Sequence, residues 1–234
     1  MEPLLKIRDL KKIYKIGDLQ VQALRGVNLD FQPGEFIVLL GASGSGKSTL
    51  LNIIGGLDSC STGKVLYKEQ LVTELSVKDL TEYRRRNVGF VFQFYNLISN
   101  LTAEENIRLV TDISDQSLEI DYCLDLVGLR ERKNHFPVQL SGGEQQRVSI
   151  ARAIAKKPEI LLCDEPTGAL DLATGKIVLE AILKVHKELK TLAIVITHNS
   201  AIAGLADRVL YLSDGQIRKE ERNETKIKVD EVFW

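Results

Sequence analysis

Apolar and polar positions alternate along Val27-Asn28-Leu29-Asp30-Phe31, which predicts a half-buried strand. Leu5-Lys6-Ile7 leads in ahead of it. A Pro33-Gly34 turn then separates it from Glu35 to Leu40, a run apolar enough for a strand buried on both faces. Gly63-Lys64-Val65-Leu66-Tyr67 predicts a further short strand, and Val88 to Phe92 is another apolar run. Ser76 stands where it caps a helix through Arg86. Beyond that point strand signals vanish. Thr102 and Glu105 form a capping box for a helix through about Val110. A second helix is predicted over Ser117 to Val127, and a third from Ser141-Gly142-Gly143 to just before Pro158. After Pro158 the pattern becomes strand, helix, strand: Ile160–Cys163, Thr174–Lys190, Leu192–Thr197. That rhythm predicts a parallel sheet. The layout is an α/β core, about 1–93 and 158–234, interrupted by a helical insert of about 94–157. No internal repeat or long linker is evident.

Composition narrows the class. The chain has 234 residues, near the upper size for one hydrophobic core. A formal net charge of -1 supplies no basic field for a nucleic acid. The clusters Arg84-Arg85-Arg86 and Lys156-Lys157 read as solvated helix ends. Cys60, Cys123 and Cys163 lack metal spacing and read as reduced thiols of a cytosolic protein. Cys163 sits within an apolar strand as a small core residue. No apolar run approaches the roughly 20 residues of a membrane helix, and Met1 to Lys6 lacks a signal-peptide pattern. Any membrane-spanning part is therefore expected on another chain. The tail from Arg218 to Asp230 is charged and is expected to be mobile. Val232-Phe233-Trp234 reads as a packed or frayed end, with a partner-binding anchor as the alternative.

The chemistry begins at Gly41-Ala42-Ser43-Gly44-Ser45-Gly46-Lys47-Ser48-Thr49, which fits the phosphate-loop pattern G-x-x-x-x-G-K-[ST]. It follows the strand ending at Leu40 and precedes the helical pattern from Leu50, the context the motif needs. The glycines turn backbone N–H groups toward phosphate oxygens. Lys47 adds a point charge, and the Ser48 hydroxyl can hold Mg²⁺. By itself this loop indicates a nucleoside triphosphate.

Leu140-Ser141-Gly142-Gly143-Glu144-Gln145 narrows that class, because it resembles the signature sequence of ABC-type ATPases. Five further segments match that family in its own order. They are Tyr14, Gln93 at the end of an apolar run, Ile160 to Glu165, Ala169-Leu170-Asp171, and His198. The resemblance implies a P-loop ABC cassette with a parallel-sheet core, an N-terminal antiparallel β subdomain and the helical insert. It implies ATP and Mg²⁺ as ligands. Ser48, Asp164 and Gln93 are then the metal site, Glu165 the general base, and His198 the contact to the γ-phosphate. Glu165 as a mere capping carboxylate before Pro166 is the alternative. Asn199 stands where Asp is frequent, which puts one supporting contact of His198 in question. Tyr14 would stack on the adenine, with packing on the sheet as its alternative.

The resemblance also explains a second helix start. Ser141, Gly142, Gly143 and Gln145 open a helix whose free N–H groups favour an anion, yet the loop at Lys47 already supplies one. In the family a head-to-tail homodimer closes each signature over the partner's nucleotide, with Asp171 at the seam. Val91 to Leu97, Leu101 to Asn106 and Pro166-Thr167-Gly168-Ala169-Leu170-Asp171 resemble the MacB, LolD and FtsE group. That implies an ATPase on the inner face of the membrane, held by a membrane-spanning permease. An exporter of peptides, macrolide-like compounds or lipoproteins is expected; an FtsE-like signalling ATPase and a soluble nucleic-acid ATPase are the alternatives. Phe94-Tyr95-Asn96-Leu97-Ile98 is expected to be partly exposed and to dock the permease.

Overall fold

The computed structural model describes residues 2–233, with Ile16 as backbone only. In chain order the elements are β1 (Leu5–Ile16), β2 (Leu19–Phe31), β3 (Phe36–Leu40), α1 (Lys47–Ile54), β4 (Thr62–Tyr67), β5 (Gln70–Leu71) and α2 (Val77–Asn87). Then follow β6 (Val88–Val91), α3 (Ala103–Thr111), α4 (Ile120–Leu126), α5 (Gly142–Ile154), β7 (Ile160–Asp164), α6 (Leu172–Leu189), β8 (Leu192–Thr197), β9 (Arg208–Ser213) and β10 (Gln216–Arg222). Strands β2-β1-β4-β5 form an antiparallel sheet. A second sheet has the order β10-β9-β3-β8-β7-β6. Its strands run parallel except β10, which returns antiparallel along β9.

The period of two along the central strands separates two apolar clusters. Phe36, Val38 and Leu40 of β3, Leu161 and Cys163 of β7, and Ala193 and Val195 of β8 pack with residues of α3 to α6. Ile37 and Leu39, Ile160 and Leu162, and Leu192, Ile194 and Ile196 pack instead with α1 and the antiparallel sheet. The helices between β6 and β7 therefore share a core with the sheet. Among the described residues no helix is long and apolar enough to cross a membrane.

Several predicted elements are longer or shorter than expected. β1 and β2 run 12 and 13 residues, because their outer halves form a hairpin whose residues are largely exposed. Without a buried face, no alternation marks them. α4 is confined to Ile120–Leu126.

The tail is a correction. Arg218 to Arg222 lie in β10, an edge strand whose outward residues are charged because they meet water. Beyond it, Lys226 pairs with Asp207 at 2.6 Å, and Lys176 Nζ donates to the Asp230 carbonyl at 2.8 Å. Val229 and Val232 are buried, whereas Phe233 is exposed beneath the Lys176 ammonium. Trp234 lies outside the described residues.

One buried ion pair joins the two sheets. Arg208 of β9 donates through Nη2 to Glu35 Oε2 at 3.1 Å and to the Asp30 carbonyl of β2 at 2.6 Å. Its Nε lies 2.9 Å from Glu35 Oε1, at ion-pair distance but poorly aligned for a hydrogen bond. Removing Glu35 leaves the buried Arg208 with only the exposed Glu220, 3.1 Å from its Nη1, as a carboxylate partner. Glu35→Ala should therefore cost about 3–5 kcal/mol of stability, read as a lower midpoint of urea unfolding. An unchanged midpoint would show that the pair is not a structural joint.

Candidate functional site

The carboxyl ends of four parallel strands converge on one edge of the sheet, where sites collect in folds of this class. β3 leads into the phosphate loop, β6 into Gln93, β7 into Glu165 and β8 into His198. A cleft of about 620 Å³ opens there. It is lined by Ser43, Gly44, Gly46, Lys47, Ser48, Thr49, Gln93, Asp164, Glu165 and His198, together with Val21, Gln22 and Ala23 of β2.

The loop takes its shape from two glycines. Gly46 adopts φ 104° as the residue capping α1, and a Cβ there would lie 2.4 Å from the Ala23 carbonyl oxygen. A Cβ on Gly41 would lie 2.4 Å from the Leu212 carbonyl oxygen. Lys47 is buried, and its ammonium donates to the carbonyls of Gly41 at 2.7 Å and Ala42 at 3.0 Å. The loop is thus closed around its own lysine. The Ser45 hydroxyl is buried without a hydrogen-bond partner. The amide-rich start of α1 fits a phosphate chain.

The carboxylates sit beside it. Ser48 Oγ donates to Asp164 Oδ1 at 3.3 Å. Burial pushes the Asp164 carboxyl up, the hydrogen bond from Ser48 opposes this, and the neighbouring Glu165 adds to it. A divalent cation between Ser48 and Asp164 would offset that desolvation. Among the described residues no group of three or more His, Cys, Asp or Glu side chains forms a protein cage for a metal. The donor set suits Mg²⁺, which keeps waters and takes few protein oxygens.

Glu165 follows the last residue of β7 and has φ 45°. Its amide donates to the Ile196 carbonyl of β8 at 2.9 Å, so the turn is tied to the next strand. Its side chain is 14 % exposed; Oε1 lies 3.0 Å from His198 Nδ1. Oε2 is buried with no partner. The carboxylate thus has one oxygen held beside an imidazole and one buried without a partner. Gln93 reaches the same place, since a Cβ on Gly168 would lie 3.3 Å from its Nε2. Asn199 accepts from the Ala201 amide at 2.9 Å and caps the 3-10 turn Ser200–Leu205. Asn and Asp serve equally as such a cap.

Other sequence-selected residues lie outside this cleft's lining. Ser141 caps α5 in a reciprocal box with Glu144, and Asp171 caps α6 by accepting from the Thr174 amide and hydroxyl. Those hydrogen bonds hold the Asp171 carboxyl below the usual range. A Cβ on Gly143 would lie 2.1 Å from Thr174 Cγ2, so the two helix starts are pressed together. Gln145 turns back to the Leu140 carbonyl. Tyr14 points its hydroxyl toward Asp58 and lies 3.4 Å from Thr49 Oγ1, at the cleft's edge. Sequence reasoning missed Val21, Gln22 and Ala23, which carry no motif; their only sign is an exposed Val21 beside the loop. It also missed Ser200, which with Thr167 and Leu170 of the quoted motifs joins Glu165 and His198 in an adjoining cleft of about 430 Å³.

The family model described as ABC transporter matches residues 24–168. MJ0796, an ABC transporter ATP-binding protein of Methanocaldococcus jannaschii, is 43% identical over 94% of this chain and 97% of its own length. Its dimeric cassette, bound to ADP and Pi in a post-hydrolysis state, superposes with a TM-score of 0.85 at 41% identity, over 93% of this chain and 98% of that one. The macrolide export ATP-binding/permease protein MacB of Brucella melitensis is 45% identical over 92% of this chain, which spans 34% of it. The ABC transporter ATP-binding protein MG065 of Mycoplasma genitalium is 44% identical over 97% of this chain, which spans about half its length (50%). With the phosphate loop, the paired carboxylates and His198 around one cleft, and these likenesses along nearly its whole length, the chain belongs to the ABC transporter family as one of its ATP-binding cassettes.

Proposed function

We propose that this cassette hydrolyses ATP as a head-to-tail homodimer and drives a separate membrane-spanning subunit of an exporter of the MacB kind. One observation carries the reading. The cleft gathers the phosphate loop, Asp164, Glu165 and His198, while Ser141 opens another helix outside it. Lys47 and the amides of Gly44 and Gly46 would take the phosphates. Ser48 and Asp164, with Gln93, would hold Mg²⁺, which supplies charge neutralisation on the transferring phosphoryl group. Glu165, oriented by His198, would accept a proton from the attacking water. His198 would also meet the γ-phosphate. A second copy's Ser141-Gly142-Gly143 would complete the anion's surroundings, with Asp171 at the seam. The dimeric form of MJ0796 supports this assembly. The MacB likenesses support the exporter branch, and a location on the inner face of the membrane follows from the permease partner. A formal net charge of -1 weighs against a nucleic-acid partner.

The docking surface is best assigned to the segment after Gln93. Phe94 is 76% exposed and Ile98 43% exposed, while Leu97 packs into the core. Tyr95 and Asn96 have φ of 53° and 52°, and Arg152 of α5 donates to both their carbonyls, at 2.9 and 2.6 Å. A clamped, strained turn thus presents an apolar ring to solvent.

Glu165→Gln should retain ATP binding and lose most turnover, about 10²–10⁴-fold if its role is that of a general base. Lys47→Ala should lose binding itself. Size exclusion with ATP should show a dimer for the first variant and a monomer for the second; the same state for both would contradict these roles. Phe94→Asp should leave ATP binding and folding intact but reduce recovery of the tagged protein with its membrane partner. Normal recovery would remove the docking assignment. Recovery with DNA or ribosomes in place of a membrane protein would overturn the transport reading.

A further inference from the structure

We propose that Asp58 and Lys12 are positioning residues for the nucleobase, acting through the ring of Tyr14. The inference rests on the reading of Tyr14 as the base's platform. Tyr14 lies on β1 directly opposite Val21 of β2, and opposed residues of an antiparallel pair share a face. Val21 and Thr49 both line the cleft, and Thr49 Oγ1 is 3.4 Å from the Tyr14 hydroxyl. The ring therefore stands at the edge of the nucleotide cleft, beyond the phosphate loop.

Two contacts fix it there, and three more hold the groups that make them. The Tyr14 hydroxyl donates to Asp58 Oδ2 at 2.7 Å. Asp58 Oδ1 accepts from Lys12 Nζ and from the Ser59 amide, each at 2.7 Å. Lys12 Nζ also donates to the Ser59 carbonyl at 2.6 Å and sits 4.7 Å from the centroid of the Tyr14 ring. Lys12 is buried, so its ammonium is poorly hydrated and its attraction for the ring face is correspondingly strong. One face of the ring is taken by this cation, which leaves a single face for a base.

The arrangement has a geometric consequence. Asp58 lies a few residues beyond α1, the helix whose start forms the phosphate site. Asp58 is tied back to that helix by its amide, which donates to the Asn52 carbonyl at 3.3 Å. The unit that holds the phosphates thus also sets where the ring stands. A platform fixed in advance spares the ordering of one side chain when the ligand binds. The contacts favour a ligand with both a triphosphate and a flat ring, and do nothing for the phosphates alone.

The experiment is calorimetric titration of the whole chain with ATP and, separately, with inorganic tripolyphosphate. Tyr14→Ala should weaken ATP by about 5- to 150-fold, the range for base–aromatic stacking, and leave tripolyphosphate unchanged. Asp58→Ala should weaken ATP by about 3- to 10-fold, the order expected when one side chain must be ordered on binding, again with tripolyphosphate unchanged. In a Tyr14→Ala background the Asp58→Ala change should add nothing, because its route to the base is gone. An equal loss for both ligands, no loss, or a loss that persists without the Tyr14 ring would overturn the positioning role. If Tyr14→Ala binds ATP like the wild type, the platform reading falls and the inference with it. If Tyr14→Ala loses ATP selectively and Asp58→Ala does not, the positioning role alone falls. Should Asp58→Ala fail to fold, Tyr14→Phe decides, since it removes the hydroxyl and keeps the Asp58–Lys12 pair. A selective loss of ATP supports the role, and none overturns it.

Discussion

Two adjacent carboxylates must face one cleft, although consecutive residues of a strand point to opposite faces. Ile160, Leu162 and Asp164 of β7 follow the face that packs on α1, and Leu161 and Cys163 follow the other. Asp164 therefore arrives beside Ser48 by the strand's own period. Glu165, continued in the same geometry, would enter the cluster under α5 and α6. It escapes because the strand ends there and the chain takes a left-handed turn at φ 45°. A non-glycine residue in that region costs about 1–3 kcal/mol, and surrounding contacts must hold it. Here they are the amide bond to Ile196 and the His198 contact, both from the end of β8. The pairing of β7 with β8 is thus what allows these two adjacent carboxylates to share one cleft.

The phosphate loop is organised on the same edge by a different device. Lys47 is satisfied by the carbonyls of its own loop, so the cradle does not depend on its ligand to keep the charge paired. The helix starts at Ser141 and Asp171 are likewise capped by their own neighbours, and they lie together away from the loop. A cassette built this way has a complete cradle and an incomplete enclosure. That division is the physical basis for the proposed homodimer.

The phosphate loop was legible as a motif set between a strand and a helix, whereas Gln93, Asp164, Glu165 and His198 were named through the family resemblance, since a strand end alone does not mark them. The βαβ rhythm after Pro158, the capping box at Thr102 and the strand Leu192–Thr197 all appear as read. The antiparallel hairpin was only partly visible, since an exposed strand needs no alternation. β9 and β10 left a sign that was not used. Val209 to Leu212 is an apolar run, and Asp214-Gly215, with φ of 49° and 71°, makes the tight turn of a hairpin. The charges of β10 belong to an edge, so composition alone read them as a loose tail. Tyr14's family match was readable, but the Tyr14–Asp58 and Lys12–Asp58 bonds join residues 44 and 46 positions apart and have no local signature.

The central claim is that each catalytic site is completed by a second copy. It is tested most directly by mixing two defective forms, Glu165→Gln and Ser141→Arg. The mixed dimer holds one site with both defects and one with neither. The account predicts that each form alone has little ATPase activity and that mixing restores turnover well above the sum of the two. A mixture no more active than that sum, or full activity in Ser141→Arg alone, would contradict it.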